Sequence, residues 1–133
     1  MSRISHVHLS AIEEVDRRIN LAKSFIENNY ILDIQLPDIA AAAHLSPTHL
    51  NRLFKQKINI TPYQYLVTVR LKQATELLEQ TKIPVREIVA QVGFYSPSSF
   101  IRLFKKKHSV TPSTFRQTVK EYQTGNKEFR TTK

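Results

Sequence analysis

Apolar side chains recur at intervals of three and four residues along most of this chain, which is the spacing of one face of an α-helix. The first such segment is Ser10–Asn29, in which the apolar positions begin at Ile12 and end at Ile26. No segment combines the alternation of a half-buried strand with the turn of a hairpin. The pattern therefore predicts an all-α protein.

Four pairs of a hydroxyl residue and a proline interrupt this pattern: Ser46-Pro47, Thr61-Pro62, Ser96-Pro97 and Thr111-Pro112. Serine and threonine are favoured N-caps, and proline suits the first helical position because it has no N–H to leave unpaired. Each pair therefore predicts the start of a helix. About seven helices are expected, over residues 10–29, 36–43, 47–57, 62–82, 85–92, 97–107 and 112–122.

An eighteen-residue segment occurs twice in the sequence, with partial identity between the two copies. Residues 45–62 (LSPTHLNRLFKQKINITP) and 95–112 (YSPSSFIRLFKKKHSVTP) are identical at nine positions, and one extra residue in the second turn moves the repeat offset from 49 to 50. Each copy follows a short helix and a turn, which holds His44 in the first copy and Gly93 in the second. A short helix, a turn and a second helix with a defined start are typical of the helix-turn-helix unit of DNA-binding proteins. Two copies are too few for a solenoid, so we interpret the repeat as one duplicated unit.

The positive charge of the chain is concentrated in these two copies. The net charge is +9, but residues 39–75 and 88–120 hold no acid and together carry +11, so the remainder sums to −2. Charge segregated in this way indicates a surface for a polyanion, whereas a merely basic protein would mix its acids and bases. The residues concerned are Arg52, Lys55, Lys57, Arg70 and Lys72 in the first window, and Arg102, Lys105, Lys106, Lys107, Arg116 and Lys120 in the second.

Other classes of function have little support. No spacing matches a nucleophile elbow, a phosphate loop or a carboxylate pair, so we do not expect an enzyme or a cofactor. His6 and His8 could share a metal, but we interpret them as surface residues and expect no metal site. Cysteine is absent and no apolar run approaches the roughly 18 residues of a membrane span, so we expect a cytoplasmic protein with no membrane partner. If the polyanion is DNA, the protein would be nucleoid-associated.

The second helix of each unit divides into two sides. Helical spacing assigns the core side to Leu50, Leu53 and Phe54 in the first copy and to Phe100, Leu103 and Phe104 in the second. The same spacing assigns the exposed side to Thr48, Asn51, Arg52 and Lys55 in the first copy and to Ser98, Ile101, Arg102 and Lys105 in the second.

The exposed sides have the chemistry of base recognition. Arginine pairs with guanine, asparagine with adenine, and short hydroxyls with either. Ile101 is either a packing residue against the following loop or a contact for a thymine methyl group. We predict that the lysines nearer the helix ends contact phosphates, namely Lys55, Lys57, Lys105 and Lys106.

The helix expected between the two units has a suggestive length. At 21 residues it would be roughly 30 Å long, and successive major-groove segments of B-DNA lie about 34 Å apart. One monomer could therefore engage two adjacent segments of the major groove. The expected organisation is a flexible N-terminus (1–10), a first helix-turn-helix subdomain (11–61), a long linker helix (62–82), a second helix-turn-helix subdomain (83–122) and a flexible tail (123–133).

The sequence resembles the AraC/XylS family of transcription regulators over roughly residues 11–118. The likeness is densest in DIAAAAHLSPTHLNRLFKQ, TPYQYLVTVRLKQATELL and VREIVAQVGFYSPSSFIRLFKKKHSVTPSTFR. It implies a seven-helix DNA-binding domain in two subdomains, acting as an activator that contacts RNA polymerase. It also implies base contacts by Thr48, Asn51, Arg52, Ser98, Ser99 and Arg102.

The chain departs from the family pattern in three places. His44 stands in place of the usual glycine, Val89 in place of alanine, and Lys107-His108-Ser109 lacks a common glycine. Most members carry a further domain for ligand sensing or dimerisation, so this chain is either a stand-alone member or the DNA-binding part of a longer protein. We expect the DNA-binding part to be monomeric, with dimerisation left to a companion domain. The expected function is sequence-specific binding of double-stranded DNA; a non-specific architectural DNA-binding protein is the alternative.

Overall fold

The computed structural model describes the backbone of residues 2–132 and the side chains of residues 10–125. Over this range the chain is helical, without a strand, which confirms the all-α class and the two helix-turn-helix subdomains. The seven helices of the described range are α1 (Ser2–Asn29), α2 (Leu36–Ala42), α3 (Pro47–Ile58), α4 (Pro62–Gln80), α5 (Val85–Gln91), α6 (Pro97–His108) and α7 (Pro112–Thr132).

Contacts along the chain divide it into two compact units within α4, between Val69 and Arg70. In the first unit, α1, α2, α3 and the start of α4 enclose one apolar core. Ala40 on α2 is almost fully buried, and its small side chain leaves room for a neighbouring helix. The buried members of this core are Ile19, Ala22, Ile26, Ile39, Ala40, Ala43, Leu50, Phe54 and Leu66.

The second unit holds the end of α4 together with α5, α6 and α7. Its centre is a chain of aromatic rings: the ring centroids of Phe94 and Phe100 lie 5.2 Å apart, those of Phe100 and Phe104 5.7 Å, and those of Phe104 and Phe115 5.5 Å. Edge and tilted contacts of this kind add to the free energy of apolar burial. Its other buried apolar side chains are Leu71, Ala74, Leu78, Ile88, Val89 and Val92.

The predicted helix starts are confirmed by their capping hydrogen bonds. The side-chain oxygens of Ser46, Thr61, Ser96 and Thr111 each accept a hydrogen bond from the backbone N–H three residues later, at 3.2, 3.1, 3.3 and 3.2 Å. At Thr61 the arrangement is reciprocal, because its own N–H donates to Gln64 Oε1 at 2.9 Å, as in a capping box. These caps fix where α3, α4, α6 and α7 begin.

The predicted bounds of three helices need correction. Helix α1 begins at Ser2, not Ser10, and α7 continues to Thr132, beyond residue 122. Residues 2–29 contain no glycine or proline and residues 113–132 contain only Gly125, so little in either segment stops a helix. Helix α4 ends at Gln80, two residues earlier than expected. The flexibility assigned to residues 1–10 and 123–133 stays a prediction.

Helices α3 and α6 end in the same way. Each is followed by a residue with left-handed backbone, Asn59 at φ 71° and Ser109 at φ 66°. The N–H of each donates to the carbonyl four residues earlier, at 2.9 and 2.8 Å. This is the common left-handed termination of a helix, here without the glycine that usually provides it.

Candidate nucleic-acid interface

The turn between the two helices of each unit has left-handed backbone. His44 has φ 58° and Gly93 has φ 91°. Histidine is among the residues that tolerate this region, so the turn forms although the usual glycine is absent from the first unit. The turn sets the direction in which α3 and α6 leave the short helix before them.

The first turn is also held by a side chain of α1. Arg18 Nη1 donates to the carbonyl oxygen of His44 at 2.8 Å, and Arg18 Nε donates to Glu14 Oε1 at 2.8 Å. Hydrogen bonds from Arg17 and Arg18 lower the pKa of the Glu14 carboxyl to about 2. The sequence alone did not predict the contact between Arg18 and His44. The i, i+4 spacing of Glu14 and Arg18 indicated only the ion pair within α1.

In the first unit the structure separates core and exposed sides as the spacing predicts. Leu50 and Phe54 are fully buried on α3. Thr48, Asn51 and Arg52 are exposed on the same helix. Arg52 makes no hydrogen bond or ion pair with any described side chain, so its guanidinium is available to a ligand.

The second unit also separates a buried and an exposed side, but one of its candidate base-contacting residues, Ser99, is partly buried. On α6, Phe100 and Phe104 are fully buried, while Ser98 and Arg102 are exposed and Ile101 keeps 39% of its surface exposed. Ser99 is partly buried, and its hydroxyl oxygen accepts a hydrogen bond from the Ser96 hydroxyl at 3.2 Å. Ser99 therefore takes part in the N-cap of α6, in addition to any contact with a ligand.

The four lysines expected to contact phosphates differ in their surroundings. Lys55 Nζ donates to the carbonyl of Asn59 at 3.1 Å, beside the end of its own helix. Lys57 Nζ lies 3.3 Å from Asp16 Oδ1 on α1. Lys105 and Lys106 are exposed and have no partner among the described side chains. The ammonium groups of the second unit, on Lys105 and Lys106, therefore have fewer partners within the protein than those of Lys55 and Lys57.

Two other basic residues stabilise the second unit. Arg116 on α7 donates from Nε to the Leu78 carbonyl at 3.2 Å, and so caps the C-terminal end of α4. The guanidinium carbon of Arg70 lies 5.9 Å from the centroid of the Phe94 ring, within the range of a cation–π contact. Both belong to the acid-free windows, so the charge count alone overstates the number of cations available to a polyanion.

Neither a metal site nor a membrane-spanning helix occurs among the described residues. Among the side chains of residues 10–125, no group of three or more His, Asp or Glu is placed to hold a metal ion. The side chains of His6 and His8 lie outside this range. None of the described helices has the length and apolar character needed to cross a bilayer.

Comparison with known proteins identifies the fold and the family. The profile of a helix-turn-helix domain matches residues 39–118. The chain is 32% identical over 83 residues to a lactose operon transcription activator from Staphylococcus xylosus, which is 62% of this chain and 30% of that protein. It also aligns with the C-terminal domain of AraT, a response regulator from Geobacillus stearothermophilus, at a TM-score of 0.72 and 31% identity, covering 76% of this chain and 84% of that one.

A further solved structure shares the fold. The DNA-binding domain of AdpA, a global transcriptional factor in complex with a target DNA, aligns at a TM-score of 0.75 and 24% identity, covering 78% of this chain and 94% of that one. The chain spans about a third of the length of the curated relatives that it matches. The matched profile includes both helix-turn-helix units and more than half of the sequence. The chain therefore belongs to the AraC/XylS family of DNA-binding transcription regulators.

Proposed function

We propose that this chain is a sequence-specific regulator of transcription, acting as an activator, that inserts α3 and α6 into adjacent segments of the major groove of double-stranded DNA. The observation that carries the proposal is the exposed side of these two helices, where Arg52 and Arg102 face away from the buried side chains of Phe54, Phe100 and Phe104. In a helix-turn-helix protein the second helix lies in the major groove with its N-terminal residues at the base edges. The other residues of the two exposed sides have side chains that can contact base edges.

Each side chain has a partner of matching chemistry. Arg52 and Arg102 would pair with O6 and N7 of guanine, and Asn51 with N6 and N7 of adenine. Ile101 would contact a thymine methyl group, which suits its exposed apolar surface. The hydroxyls of Thr48, Ser98 and Ser99 accept or donate, and Ser99 keeps its own proton for a contact because it acts as acceptor in the cap.

The lysines would supply contacts that do not depend on sequence. Lys55, Lys57, Lys105 and Lys106 lie in the last turns of α3 and α6. A point charge on a long flexible side chain suits a phosphate better than a base edge. Substitution of any of them would flatten the dependence of affinity on salt by about one charge on every DNA sequence.

The serious alternative is an architectural protein that binds DNA without sequence preference. Both proposals expect affinity to fall with salt, but a regulator also needs a large ratio of specific to non-specific affinity. A duplex selected from a random pool by the purified chain, compared with its scrambled version at fixed salt, measures this ratio. Similar affinity for the two duplexes would favour the architectural alternative.

The same duplexes test the assignment of base contacts. Arg52→Ala and Arg102→Ala should each cost about 1–3 kcal/mol on the selected duplex, because a bidentate contact to guanine is lost. The loss on the scrambled duplex should be much smaller. Arg17→Ala is the control, since Arg17 is exposed on α1, outside both recognition helices. Equal losses on the two duplexes would contradict base contact.

Partners beyond DNA also belong to the proposal. A relative named a lactose operon transcription activator supports activation, and RNA polymerase is the partner that an activator of this family would contact. We propose that the chain binds DNA as a monomer in the bacterial cytoplasm, at the nucleoid, and that dimerisation or ligand sensing falls to a companion domain. Sedimentation of the chain with and without its duplex tests the monomeric state, and transcription from a selected site with purified polymerase tests activation.

A further inference from the structure

The extra residue of the second repeat copy can be located from backbone hydrogen bonds. The N–H of Leu45 donates to Ala40 O, and the N–H of Phe94 donates to Val89 O, so these pairs correspond at an offset of 49 residues. The N–H groups of Leu50 and Phe100 donate to the carbonyls of the N-caps Ser46 and Ser96, at an offset of 50. Between Phe94 and Ser96 stands one residue without a counterpart, and it is Tyr95.

Tyr95 has no role in the packing of its unit. Its relative exposure is 103%, as large as that of a residue in an extended chain, whereas Phe94 before it is 9% exposed. No hydrogen bond or ring contact joins Tyr95 to any described side chain. A large aromatic residue is thus held in solvent at a place where the fold requires neither its ring nor its hydroxyl.

The position of Tyr95 relates it to the proposed DNA contact. It precedes Ser96, the N-cap of α6, and stands three residues before Ser98, within about 11 Å of chain. In a helix-turn-helix protein the N-terminal residues of the second helix reach the base edges while the first helix crosses the sugar–phosphate backbone, so the turn that holds Tyr95 connects these two places. Tyrosine is one of the neutral side chains that donate hydrogen bonds to phosphate oxygens.

We propose that the Tyr95 hydroxyl donates a hydrogen bond to a phosphate at the edge of the groove segment that α6 enters. The inference rests on the proposed function. It also gives the second unit a contact that the first unit lacks, at the helix whose exposed side holds Ile101 where α3 has Asn51. A phosphate contact carries no sequence information by itself but fixes the register of the helix on the duplex.

The test is binding of Tyr95→Phe, measured by fluorescence anisotropy on the selected and the scrambled duplex over a series of salt concentrations. Removal of the hydroxyl should weaken binding by about 3- to 10-fold on both duplexes, the loss expected for one hydrogen bond. The slope of affinity against salt should not change, because a neutral donor releases no counterion. Lys105→Ala, by contrast, should flatten that slope. The control is Tyr122→Phe, which removes a hydroxyl from a tyrosine that is 73% exposed on α7.

Each result decides the proposal. Affinity within twofold of the parent chain on both duplexes would overturn it, and a loss confined to the selected duplex would replace the phosphate contact with a base contact. Thermal unfolding of Tyr95→Phe should match that of the parent chain, since the ring touches no core residue. If the parent chain fails to prefer the selected duplex, the proposed regulator fails, while the phosphate contact is still decided on the scrambled duplex.

Discussion

Lys57 combines an ion pair within the fold with a proposed contact to DNA. Its ammonium lies 3.3 Å from the Asp16 carboxylate, and the two side chains keep 40% and 54% of their surface exposed. An ion pair this exposed contributes only about 0–1 kcal/mol to the free energy of unfolding. A DNA phosphate would compete with the carboxylate for the same ammonium, so Asp16 should weaken binding by the first unit.

Asp16→Asn should therefore raise affinity for any duplex, by about two- to fivefold, because Lys57 no longer has to leave a carboxylate. The free energy of unfolding should fall by less than about 1 kcal/mol. Anisotropy on a scrambled duplex and denaturant unfolding measure the two effects. Glu13→Gln is the matched control, since it removes the same charge from α1 without touching Lys57. An equal gain from both variants would point to net charge instead of this ion pair.

At the scale of elements, the ends of α3 and α6 offer an internal comparison. Asn59 and Ser109 occupy corresponding left-handed positions, at φ 71° and 66°. Asparagine tolerates this backbone better than serine, and glycine better than either. Ser109→Gly should therefore raise the free energy of unfolding by about 1 kcal/mol, and Asn59→Gly by only a few tenths, as measured by denaturant unfolding. A gain at Asn59 as large as that at Ser109 would contradict this account.

The end of α6 differs from that of α3 in a second respect, since His108 occupies the place of Ile58. The His108 ring lies 4.4 Å from that of Phe104 and 5.4 Å from that of Phe115, centroid to centroid, and its Nε2 is 3.5 Å from Thr75 Oγ1. Burial lowers the pKa of His108 below its ordinary value, the nearby charge of Lys107 lowers it further, and Glu79 opposes the shift.

A lowered pKa means that the folded chain binds the proton less readily than the unfolded chain. The stability of the second unit should therefore be fully present above a pH of 6.5, the ordinary value for histidine, and fall as the pH falls below it. Thermal unfolding at pH values of about 7.5 and 5.5 measures this change. His108→Ile, which copies the first unit, should reduce the pH dependence, whereas His49→Gln in α3 should leave it intact. The same dependence in His108→Ile would assign it to other groups.

Helix starts that carry a cap could be predicted from sequence far better than helix limits without one, such as the start of α1 and the end of α7. Ser46 and Thr111 determine a start through one local hydrogen bond, which residue types and spacing reveal. The extension of α1 to Ser2 and of α7 to Thr132 reflects the lack of a stop signal, which a pattern of buried positions does not report. Likewise the offset of the repeat indicated an extra residue, but the backbone hydrogen bonds were needed to show that it is Tyr95.

At the scale of the whole molecule, the distribution of charge along the sequence predicts where the candidate interface lies. It does not predict which of its cations are free to bind a polyanion. The exposed sides of α3 and α6 follow from helical spacing alone. The engagement of Arg116 with the Leu78 carbonyl, and of Lys57 with Asp16, joins residues about 40 positions apart and depends on how the helices pack. The contact of Arg18 with the His44 carbonyl spans 26 positions and depends on helix packing in the same way. Contacts between segments distant in sequence are thus the part of the candidate site that the sequence alone could not predict.

The length of α4 allows a prediction about spacing on DNA. With 19 residues the helix is about 28 Å long, and adjacent major-groove segments of B-DNA lie about 34 Å apart. If α4 sets the separation at which both units bind, inserting five base pairs between the half-sites turns one of them by about half a helical turn. Affinity should then fall at least about tenfold, towards that for scrambled DNA.

Inserting ten base pairs restores the phase but adds about 34 Å, which a helix of fixed length cannot span, so affinity should stay low. Replacing the five central base pairs without changing their number is the control, and should change affinity by less than about threefold. Anisotropy on the set of duplexes measures all three effects. Full affinity for the five-base-pair insertion would mean that the two units bind DNA independently, and that α4 connects them without fixing their spacing.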